Sequence, residues 1–478
     1  MPSSSETGPV VAIVGGGVSG AAVGYHLART GLFRTGDIVI FEPRELLGAG
    51  LAYDSVEPAH RINVPSTRMS LLPNDPEHFQ RWIDENDALA NDADARADSG
   101  ALFPRRGLFG VYMNAMVRTF VGDGAIRHVR RRLMRAEQQH GRWHLVDDAG
   151  EAIVADFLVI ATSHPAPAAP EPLASVLAGH PRFVADPTLP HALAGIGAED
   201  RVLIVGNGLT SADVVAALGL AGHIGRITTI SRRGLRSRGH PPSVQEPFGD
   251  FLSSPVETAS GLVKRVRAAI TAAATEGLTW HAVIDRVRGQ GEALWRGLPV
   301  AERRRIARHL RPFWDVHRFR VAPQVEAASE NAIASGRMDV LAGSVAGVSV
   351  VDSAINCRLR LSRSHRLIER DFDAVVVTTG PGHGGILRSQ PLLSGLAAKG
   401  YLAIDPTGLG LACSDLSEAV GPAGEATPSL FIAGPLARGT FGELMGLPQV
   451  TEHAIFVADR LAEAVLAGFP AVRRLHRM

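Results

Sequence analysis

The chain has 478 residues, of which 45% are hydrophobic and 20% are charged, and its formal net charge is +1 with the histidines neutral. This length exceeds one ordinary core and leaves room for about three domain-sized units. A nearly neutral chain has no electrostatic attraction to nucleic acid or to an acidic membrane, and no apolar run approaches the ~20 residues that cross a bilayer. We therefore expect small-molecule partners, no nucleic acid and no membrane.

The amino-terminal residues and the cysteines bear on the cell compartment. Residues 1–9 lack the basic and apolar regions of a signal peptide and predict a short disordered arm. Cys357 and Cys413 are far apart and form no C-x-x-C pair, which indicates a reducing compartment and argues against a dithiol mechanism. The 18 histidines show no H-E-x-x-H spacing. We expect a cytoplasmic protein without a metal site.

A glycine-rich turn follows the first apolar run, Val10–Val14. It reads GGGVSG over residues 15–20 and leads into a helical pattern. In this G-x-G-x-x-G arrangement Gly15 permits the tight turn, Gly17 lets the backbone approach a pyrophosphate, and Gly20 lets the helix pack on the strand. The pattern predicts a dinucleotide site.

The end of the next strand qualifies that ligand. Ile38–Phe41 is apolar and is followed by Glu42. A carboxylate at this point accepts hydrogen bonds from both hydroxyls of an adenosine ribose, so an unphosphorylated ribose is implied. Further along, alternation in residues 143–160 predicts a hairpin that leads into a buried strand, which ends near Thr162. Four prolines between residues 165 and 172 then predict an extended connector and a domain crossing.

A second glycine turn follows the apolar run Val202–Val205. It reads GNGLTS over residues 206–211, with the small Ser211 in place of a third glycine. Its next strand ends in Ser231-Arg232-Arg233 instead of an acid. A guanidinium binds a ribose 2′-phosphate bidentately where a carboxylate would repel it, so this half is expected to prefer NADPH to NADH. The other interpretation of the two arginines is a solvated strand end.

Between about residues 235 and 330 the pattern is helical and rich in arginine. The run Arg303–Arg305 is interpreted as a solvated basic helix face or as a phosphate- or partner-binding patch. His317 lies in an aromatic and cationic cluster that could equally pack a seam between domains. A later apolar strand ends at Thr378-Thr379-Gly380, and Asp373–Thr379 matches Asp156–Thr162 as a weak internal repeat.

This arrangement resembles the two-dinucleotide-binding-domain flavoproteins, which include glutathione-reductase-like reductases and flavin monooxygenases. Several segments are similar to the family that contains FAD-dependent urate hydroxylase and L-aspartate N-monooxygenase. These segments are Gly48–Tyr53, His60–Pro65 with Met69-Ser70, Arg106–Tyr112, Ser231–Gly234, Trp314–Arg318 and Gly434–Thr440. Pro435 stands where the superfamily usually has an aspartate on the ribityl chain, so that generic contact is not expected.

The resemblance implies FAD in the first site and a flavin that NADPH reduces. Oxygen addition would give a flavin hydroperoxide, which passes one oxygen atom to a small polar nitrogen-containing substrate. Two alternatives stay open: an NADPH-dependent flavoprotein reductase or dehydrogenase without oxygen insertion, and a non-catalytic redox-sensing regulator. Asn63 is a candidate for holding the flavin edge or the substrate, and it could instead cap a turn. The oligomeric state is left open.

The expected fold is α/β, with two Rossmann-like three-layer dinucleotide-binding domains and a mainly helical insertion. The predicted domains are a first FAD segment at 10–170, an NADPH domain at 171–385 with its insertion at about 235–330, and a second FAD segment at 386–478. The predicted catalytic residues are Asn63, His317 and Arg438. The predicted cofactor-binding residues are Gly15, Gly17, Val18, Ser19, Gly20, Glu42, Gly50, Ala52, Arg61, Asn63, Arg106, Thr162, Gly206, Gly208, Leu209, Thr210, Ser211, Ser231, Arg232, Arg233, Thr379, Gly380, Gly434 and Pro435.

Overall fold

A computed structural model describes residues 8–163, 165, 167–352, 354–380 and 383–468. Residues 1–7 of the predicted arm lie outside this part of the chain, whereas Gly8 and Pro9 are buried. The strands are β1 Val11–Val14, β2 Ile38–Phe41, β3 Ile126–Val129, β4 Leu133–Gln139, β5 Arg142–Asp147, β6 Ala152–Ala155, β7 Phe157–Ile160, β8 Phe183–Val184, β9 Val202–Val205, β10 Ile227–Ser231, β11 Met338–Val351, β12 Ala354–Leu361, β13 Leu367–Phe372, β14 Ala374–Val377, β15 Glu418–Val420 and β16 Ala426–Ile432.

The helices include one π turn, Ile306–Leu310, between two α-helices. The α-helices are α1 Val18–Arg29, α2 Gly50–Tyr53, α3 His78–Glu85, α4 Arg106–Gly122, α5 Leu173–Val176, α6 Leu209–Leu220, α7 Ala259–Thr275, α8 Trp280–Gly289, α9 Gly291–Gly297, α10 Val300–Arg305, α11 Arg311–Arg318, α12 Pro323–Ala334, α13 Pro391–Ala398, α14 Arg438–Phe441 and α15 Gln449–Gly468. None of these described helices is long and apolar enough to cross a membrane.

The first sheet has the strand order β15-β16-β7-β1-β2-β3, and β7, β1, β2 and β3 run parallel. Its central strands β1, β2 and β7 are apolar and buried on both faces because each face is covered. Val11 and Ile13 pack in one core with α1, α4 and α15, while Ala12 and Val14 pack in another with the small sheet β4-β5-β6 and α13. The result is a three-layer unit that combines early and late parts of the chain.

The second sheet has the order β13-β12-β11-β10-β9-β14-β8. Strands β8, β14, β9, β10 and β11 are parallel, and β11 continues into an antiparallel meander with β12 and β13. Val202 and Ile204 face a core that contains residues of α6 and α12, and Leu203 and Val205 face one that contains Leu173. The parallel strands place both glycine turns at the carboxyl edges of their sheets, where dinucleotides bind in such folds.

The two domains begin with the same clamp. Asp156 Oδ2 accepts a hydrogen bond from the Val10 amide at 2.8 Å, and Asp373 Oδ2 accepts one from the Arg201 amide at 2.7 Å. Each aspartate precedes the strand that closes beside the first strand of its domain. The repeat noted in the sequence is thus a repeated structural device that sets the register of two strands far apart in the chain.

Helices α7 to α11 and the π turn form the insertion between β10 and β11, and they have their own small core around Phe251, Val283 and Leu294. Helix α12 packs instead on the second domain, where Ala332 joins the core beside α6. The predicted α/β class with two Rossmann-like domains and a helical insertion is confirmed.

Candidate active site

The first glycine turn is closed on three sides by backbone. Gly15 has φ of +96°, and a Cβ there would lie 2.6 Å from the Ala161 carbonyl oxygen. A Cβ on Gly20 would lie 1.9 Å from the Gly15 carbonyl oxygen. Gly17 caps α1 and faces Gly50, where a Cβ would lie 2.8 Å from the Gly17 Cα. Only glycine fits at these contacts, and the absence of side chains keeps the amino terminus of α1 accessible to an anion.

Glu42 lies beneath this turn with 3% of its surface exposed. Its Oε2 accepts a hydrogen bond from the Gly16 amide at 3.0 Å, and its Oε1 accepts from the amide and the guanidinium of Arg44 at 3.1 and 3.2 Å. The carboxylate therefore supports the glycine turn and carries a cation beside it. Its contact with a ribose stays a prediction.

Residues from three further segments surround the start of α1. Thr162 follows β7 beside Gly15, and its Oγ1 is buried without a hydrogen-bond partner among the described residues. Gly434, with φ of +70°, lies against Ser19, since a Cβ there would be 2.1 Å from the Ser19 Oγ. Pro435 continues this turn, and Ala52 is exposed on α2 beyond Gly50. The unpaired hydroxyl and the glycine-only cradle fit a dinucleotide laid across this helix end.

His453 is a residue of this region that no sequence pattern revealed. It lies on α15 with 5% of its surface exposed, and its ring contacts the Gly434 amide and the Ser417 hydroxyl. Burial lowers the pKa of His453 to about 3. No spacing signal marks it, because the partner amide lies 19 residues away on another element.

Arg61 and Arg106 have partners within the protein. Arg61 is buried, pairs with both carboxylate oxygens of Asp92 and donates to the Phe103 carbonyl at 2.9 Å. Arg106 begins α4, and its Nη2 lies 2.9 Å from Oδ2 of Asp213, which belongs to α6 of the second domain. The second arginine thereby ties the two domains together; cofactor contact by either one stays a prediction.

The second glycine turn repeats the geometry of the first. Gly206 has φ of +127°, and a Cβ there would lie 2.4 Å from Oγ1 of Thr378. Gly208 has open space at the position of a Cβ, and Ser211 is buried against the helix. Between them Asn207 is 6% exposed, and neither polar atom of its side chain has a hydrogen-bond partner among the described residues. An unsatisfied amide next to an open helix end fits a bound phosphate or nicotinamide nucleotide.

The other predicted residues of this half lie around the same edge. Leu209 and Thr210 form the first turn of α6, and Ser231 ends β10. Arg232 is exposed, with no hydrogen bond or ion pair to its guanidinium among the described residues, while the Arg233 guanidinium lies over the Phe313 ring at 5.5 Å. Thr379 Oγ1 donates to the Ala168 carbonyl at 3.3 Å, and Gly380 follows with φ of +79°. The Arg232 guanidinium is thus available to a ligand, whereas one face of the Arg233 guanidinium is engaged by the Phe313 ring.

Asn63 and His317 lie in different surroundings. The Asn63 carbonyl accepts from Nε2 of His240 at 3.1 Å, and its side-chain Oδ1 is buried without a partner among the described residues. Burial and the neighbouring Arg320 lower the pKa of His240 to about 4. His317 contacts the Phe313 carbonyl through Nδ1 at 2.7 Å and meets the edge of Trp280. Asn63 therefore has an unmet polar atom next to the second domain, and His317 belongs to the insertion.

A cavity of about 490 Å³ lies between the insertion and the segment that follows Gly434. One wall is formed by Leu409 and by Arg438, Gly442, Glu443 and Met445 of that segment, and most of the rest is formed by residues of α7, α8, α9, the π turn and α11. The third predicted catalytic residue, Arg438, is in this wall with 6% of its surface exposed, and its Nε donates to the Leu409 carbonyl at 2.7 Å. His317 also lines the cavity, so two of the three predicted catalytic residues share it.

Comparison with known proteins agrees with this geometry. Residues 12–165 match the FAD-NAD(P)-binding family model, and no curated protein sequence matches the chain. The ornithine hydroxylase PvdA of Pseudomonas aeruginosa is similar in structure, with a TM-score of 0.63, 17% identity and coverage of 96% of this chain and 99% of that one.

Two further solved structures are similar. The L-lysine 6-monooxygenase of Pseudomonas syringae has a TM-score of 0.60 and 16% identity over 96% of this chain and 100% of its own. The FAD-bound cadaverine monooxygenase DfoA of Erwinia amylovora has a TM-score of 0.63 and 11% identity over 97% of this chain and 95% of its own. The chain therefore shares the fold of these solved structures over nearly its whole length, and residues 12–165 match the FAD-NAD(P)-binding family model.

Proposed function

We propose that the protein is an FAD-dependent, NADPH-using monooxygenase that inserts one oxygen atom into a small nitrogen-containing substrate. One observation carries the proposal: two glycine turns at the carboxyl edges of two parallel sheets share a chain with a largely apolar cavity beside the Gly434 segment. A binding protein for one nucleotide needs neither the second turn nor the cavity.

The residues around each turn supply the two cofactor sites. Gly15, Gly17, Ser19, Thr162 and Gly434 would hold FAD, with its pyrophosphate at the amino terminus of α1. Asn207 and Gly208 would hold the phosphates of NADPH, and Arg232 its 2′-phosphate. These assignments rest on the cradle each set forms and on the unpaired polar atoms within it.

When bound, the flavin supplies electron transfer from NADPH and the activation of oxygen. In the overall balance an amine, O₂, NADPH and a proton give a hydroxylated amine, NADP⁺ and water, so NADPH provides both electrons for the second oxygen atom. The protein must orient the amine and keep water away. The apolar side chains contributed by the insertion would exclude water. The charged side chains in the lining are Arg267, Arg311, Asp315, Arg438 and Glu443, and they are the groups available to orient a polar ligand.

The solved structures support the nitrogen-containing acceptor. The similar proteins are described as acting on ornithine, lysine and cadaverine, and each match covers nearly the whole chain. Both cysteines are free, which supports a reducing, cytoplasmic setting.

The test is an absorbance spectrum of the purified holoprotein under anaerobic conditions, before and after NADPH, followed by oxygen and a panel of amines. Bleaching of the flavin bands by NADPH and formation of a hydroxylated amine with oxygen would support the proposal. If NADPH bleaches the flavin bands but oxygen is converted only to hydrogen peroxide with every amine tested, a reductase would be favoured. FAD that NADPH does not bleach would favour a regulator.

A further inference from the structure

Two cavities meet at helix α7. The inner cavity, of about 490 Å³, is the one beside the Gly434 segment, and an outer cavity of about 550 Å³ lies between α7 and the π turn. Val263, Arg267 and Leu310 line both cavities. The apolar side chains of the inner cavity include Leu262, Val266, Ile270, Ile284, Leu294 and Trp295. Because the two cavities share part of their walls, an elongated ligand can occupy both.

The outer cavity is basic. It is lined by Lys264 and Arg267 of α7, Arg305 of α10 and His309 of the π turn, and none of its described lining residues is acidic. Nη1 of Arg305 lies 3.3 Å from Oε1 of Glu302. The side chains of Lys264 and Arg267 are exposed and have no ion pair or hydrogen bond among the described residues. These two cations can therefore bind an anion without breaking an existing pair.

The inner cavity has no spare carboxylate among its described lining residues. Its lining contains three arginines and two acidic residues. Oδ2 of Asp315 lies 3.4 Å from Nε of Arg311, and Glu443 accepts a hydrogen bond from the Arg318 guanidinium. Both acids are thus engaged by arginine. A cationic ligand would lose its hydration in this space without gaining a carboxylate of its own.

Arg438 extends the same positive environment to the wall beside Gly434. It is 6% exposed, and burial together with the neighbouring Arg311 lowers the pKa of Arg438 to about 10. A protonated amine placed here would add a further positive charge, whereas an uncharged amine would not. The acceptor nitrogen has to be unprotonated in any case, because its lone pair forms the new N–O bond.

We propose that the acceptor is an amphiphilic anion, with one anionic group held by Lys264 and Arg267 in the outer cavity and an apolar body that carries an uncharged amine nitrogen in the inner cavity. This inference rests on the proposed monooxygenase function and names its substrate class. An arylamine with a carboxylate on a short alkyl chain has these properties. The arylamine, O₂, NADPH and a proton would give the arylhydroxylamine, NADP⁺ and water, and the carboxylate would be unchanged.

The first experiment measures binding of octanoate, octylamine and octanol to the FAD-loaded full-length protein by calorimetry. We expect octanoate to bind about tenfold or more tightly than octylamine, because Lys264 and Arg267 attract one charge and repel the other. Raising the salt concentration from about 20 to about 300 mM should weaken octanoate several-fold and change octanol less than twofold, since salt screens exposed charges. From hexanoate to decanoate, affinity should rise about fourfold per methylene until the inner cavity is full.

The second experiment measures turnover with NADPH and oxygen. It compares 4-(4-aminophenyl)butanoate with 4-butylaniline, in which a methyl group replaces the carboxylate and the aromatic amine is the same. We expect kcat/KM for hydroxylamine formation to be about tenfold or more higher for the carboxylate, because the anionic group contributes binding energy at the outer cavity. Ornithine and cadaverine, which carry protonated amines, should be poorer acceptors than either.

The two hypotheses fail in different ways. Hydroxylation that favours ornithine, cadaverine or 4-butylaniline would overturn the substrate class and leave the monooxygenase function standing. Tight binding of octanoate with no NADPH-driven hydroxylation of any amine would support the anion site and overturn the function. Octanoate that binds no better than octylamine would overturn the inference whatever the turnover. Cosedimentation with phosphatidylglycerol vesicles, in a protein that does not bind octanoate, would assign the basic surface to a membrane and overturn it too.

Charge variants localise the anionic group. Arg267→Gln and Lys264→Gln should each weaken octanoate about threefold or more, and the double variant about tenfold or more, with octanol changed less than twofold. Arg308→Gln removes the same charge from an exposed side chain of the π turn that lines neither cavity, and it should change octanoate less than twofold. Equal losses from Arg267→Gln and Arg308→Gln would contradict the placement.

Size variants localise the apolar body. Ala307→Leu narrows the inner cavity and should weaken decanoate about tenfold more than butanoate. Ala301→Leu places the same side chain on an exposed position of α10 and should leave both ligands unchanged. Equal effects of the two alanine replacements would show that the alkyl chain lies elsewhere.

Discussion

Nδ1 of His453 accepts a hydrogen bond from the Gly434 amide nitrogen at 3.1 Å. Because that nitrogen can only donate, the neutral ring must carry its proton on Nε2, which lies 3.1 Å from the Ser417 Oγ. Ser417 in turn donates to the Ile432 carbonyl at 2.8 Å. A single tautomer of His453 thus connects the end of β16 to the turn that lies on Ser19 at the start of α1.

We expect His453→Leu to loosen FAD and to destabilise the fold. The replacement leaves the Gly434 N–H and the Ser417 Oγ without their ring partner in a buried place, at a cost of about 1–3 kcal/mol for each group. The fraction of flavin retained after gel filtration and the urea midpoint measure the two effects. His453→Gln, which retains an acceptor and a donor, should lose less of both. Unchanged flavin retention and stability in His453→Leu would contradict the role assigned to this ring.

The same histidine predicts a dependence of stability on pH. Burial lowers the pKa of His453 to about 3, below the ordinary value near 6.5, so the folded state binds fewer protons than the unfolded state between these values. The neutral His453 ring therefore contributes its full share of the folding stability above pH 6.5, and this share is lost as the pH falls toward 3. The difference in free energy of unfolding between the wild type and His453→Gln, both saturated with FAD, should therefore shrink by a few kcal/mol from pH 7 to pH 4. A difference that does not vary with pH would be inconsistent with the buried neutral ring.

Arg232→Ala is expected to weaken NADPH and to leave NADH nearly unchanged. Its guanidinium is exposed at the end of β10 without an ion pair among the described residues, so removal has little structural cost. A lost charge-assisted contact with the 2′-phosphate corresponds to about 10- to 150-fold in affinity. The ratio of kcat/KM for the two nucleotides measures it, with Arg226→Ala as the control, since Arg226 is an exposed arginine just before the opposite end of β10. Equal losses for NADPH and NADH would refute the assignment.

Arg106→Met should destabilise the protein by about 3–5 kcal/mol, because Asp213, with 6% of its side chain exposed, would become an unpaired buried charge. The double variant Arg106→Met/Asp213→Leu removes both charges and should recover most of that loss, as urea unfolding would show. Flavin content then decides the second question. A double variant that is stable but retains no FAD would establish that Arg106 also contacts the cofactor, as its position in the sequence predicts.

Features that depend on neighbouring residues were predictable. Each glycine turn stands between an apolar strand and a helix, so its conformation follows from about ten consecutive residues, and the acid or arginine at the next strand end follows at a set distance. The match between Asp156 and Asp373 was visible as a pattern, although its meaning as a strand clamp needed the partners Val10 and Arg201.

Features that depend on distant partners were not predictable. The carboxylate partners of Arg61 and Arg106 lie 31 and 107 residues away in the chain, and no sequence pattern indicated these pairs. A buried guanidinium is held by the nearest carboxylate in space, whatever their separation in the chain. His453, the partner of the Gly434 amide, was not predicted either, because it lies 19 residues away on another element.

The two glycine turns, their order and the helical character of the insertion can be recognised from the amino-acid sequence, because strand, turn and helix are encoded by local periodicity and by glycine at positions that exclude a side chain. The position of the cavity follows instead from the tertiary structure. The cavity is formed where helices of the insertion meet Leu409, Arg438 and residues 442, 443 and 445. Its apolar side chains come from separate elements, so no regular sequence spacing connects them. Hydrophobic contacts have no preferred direction, so they produce no local sequence motif from which the cavity could be predicted.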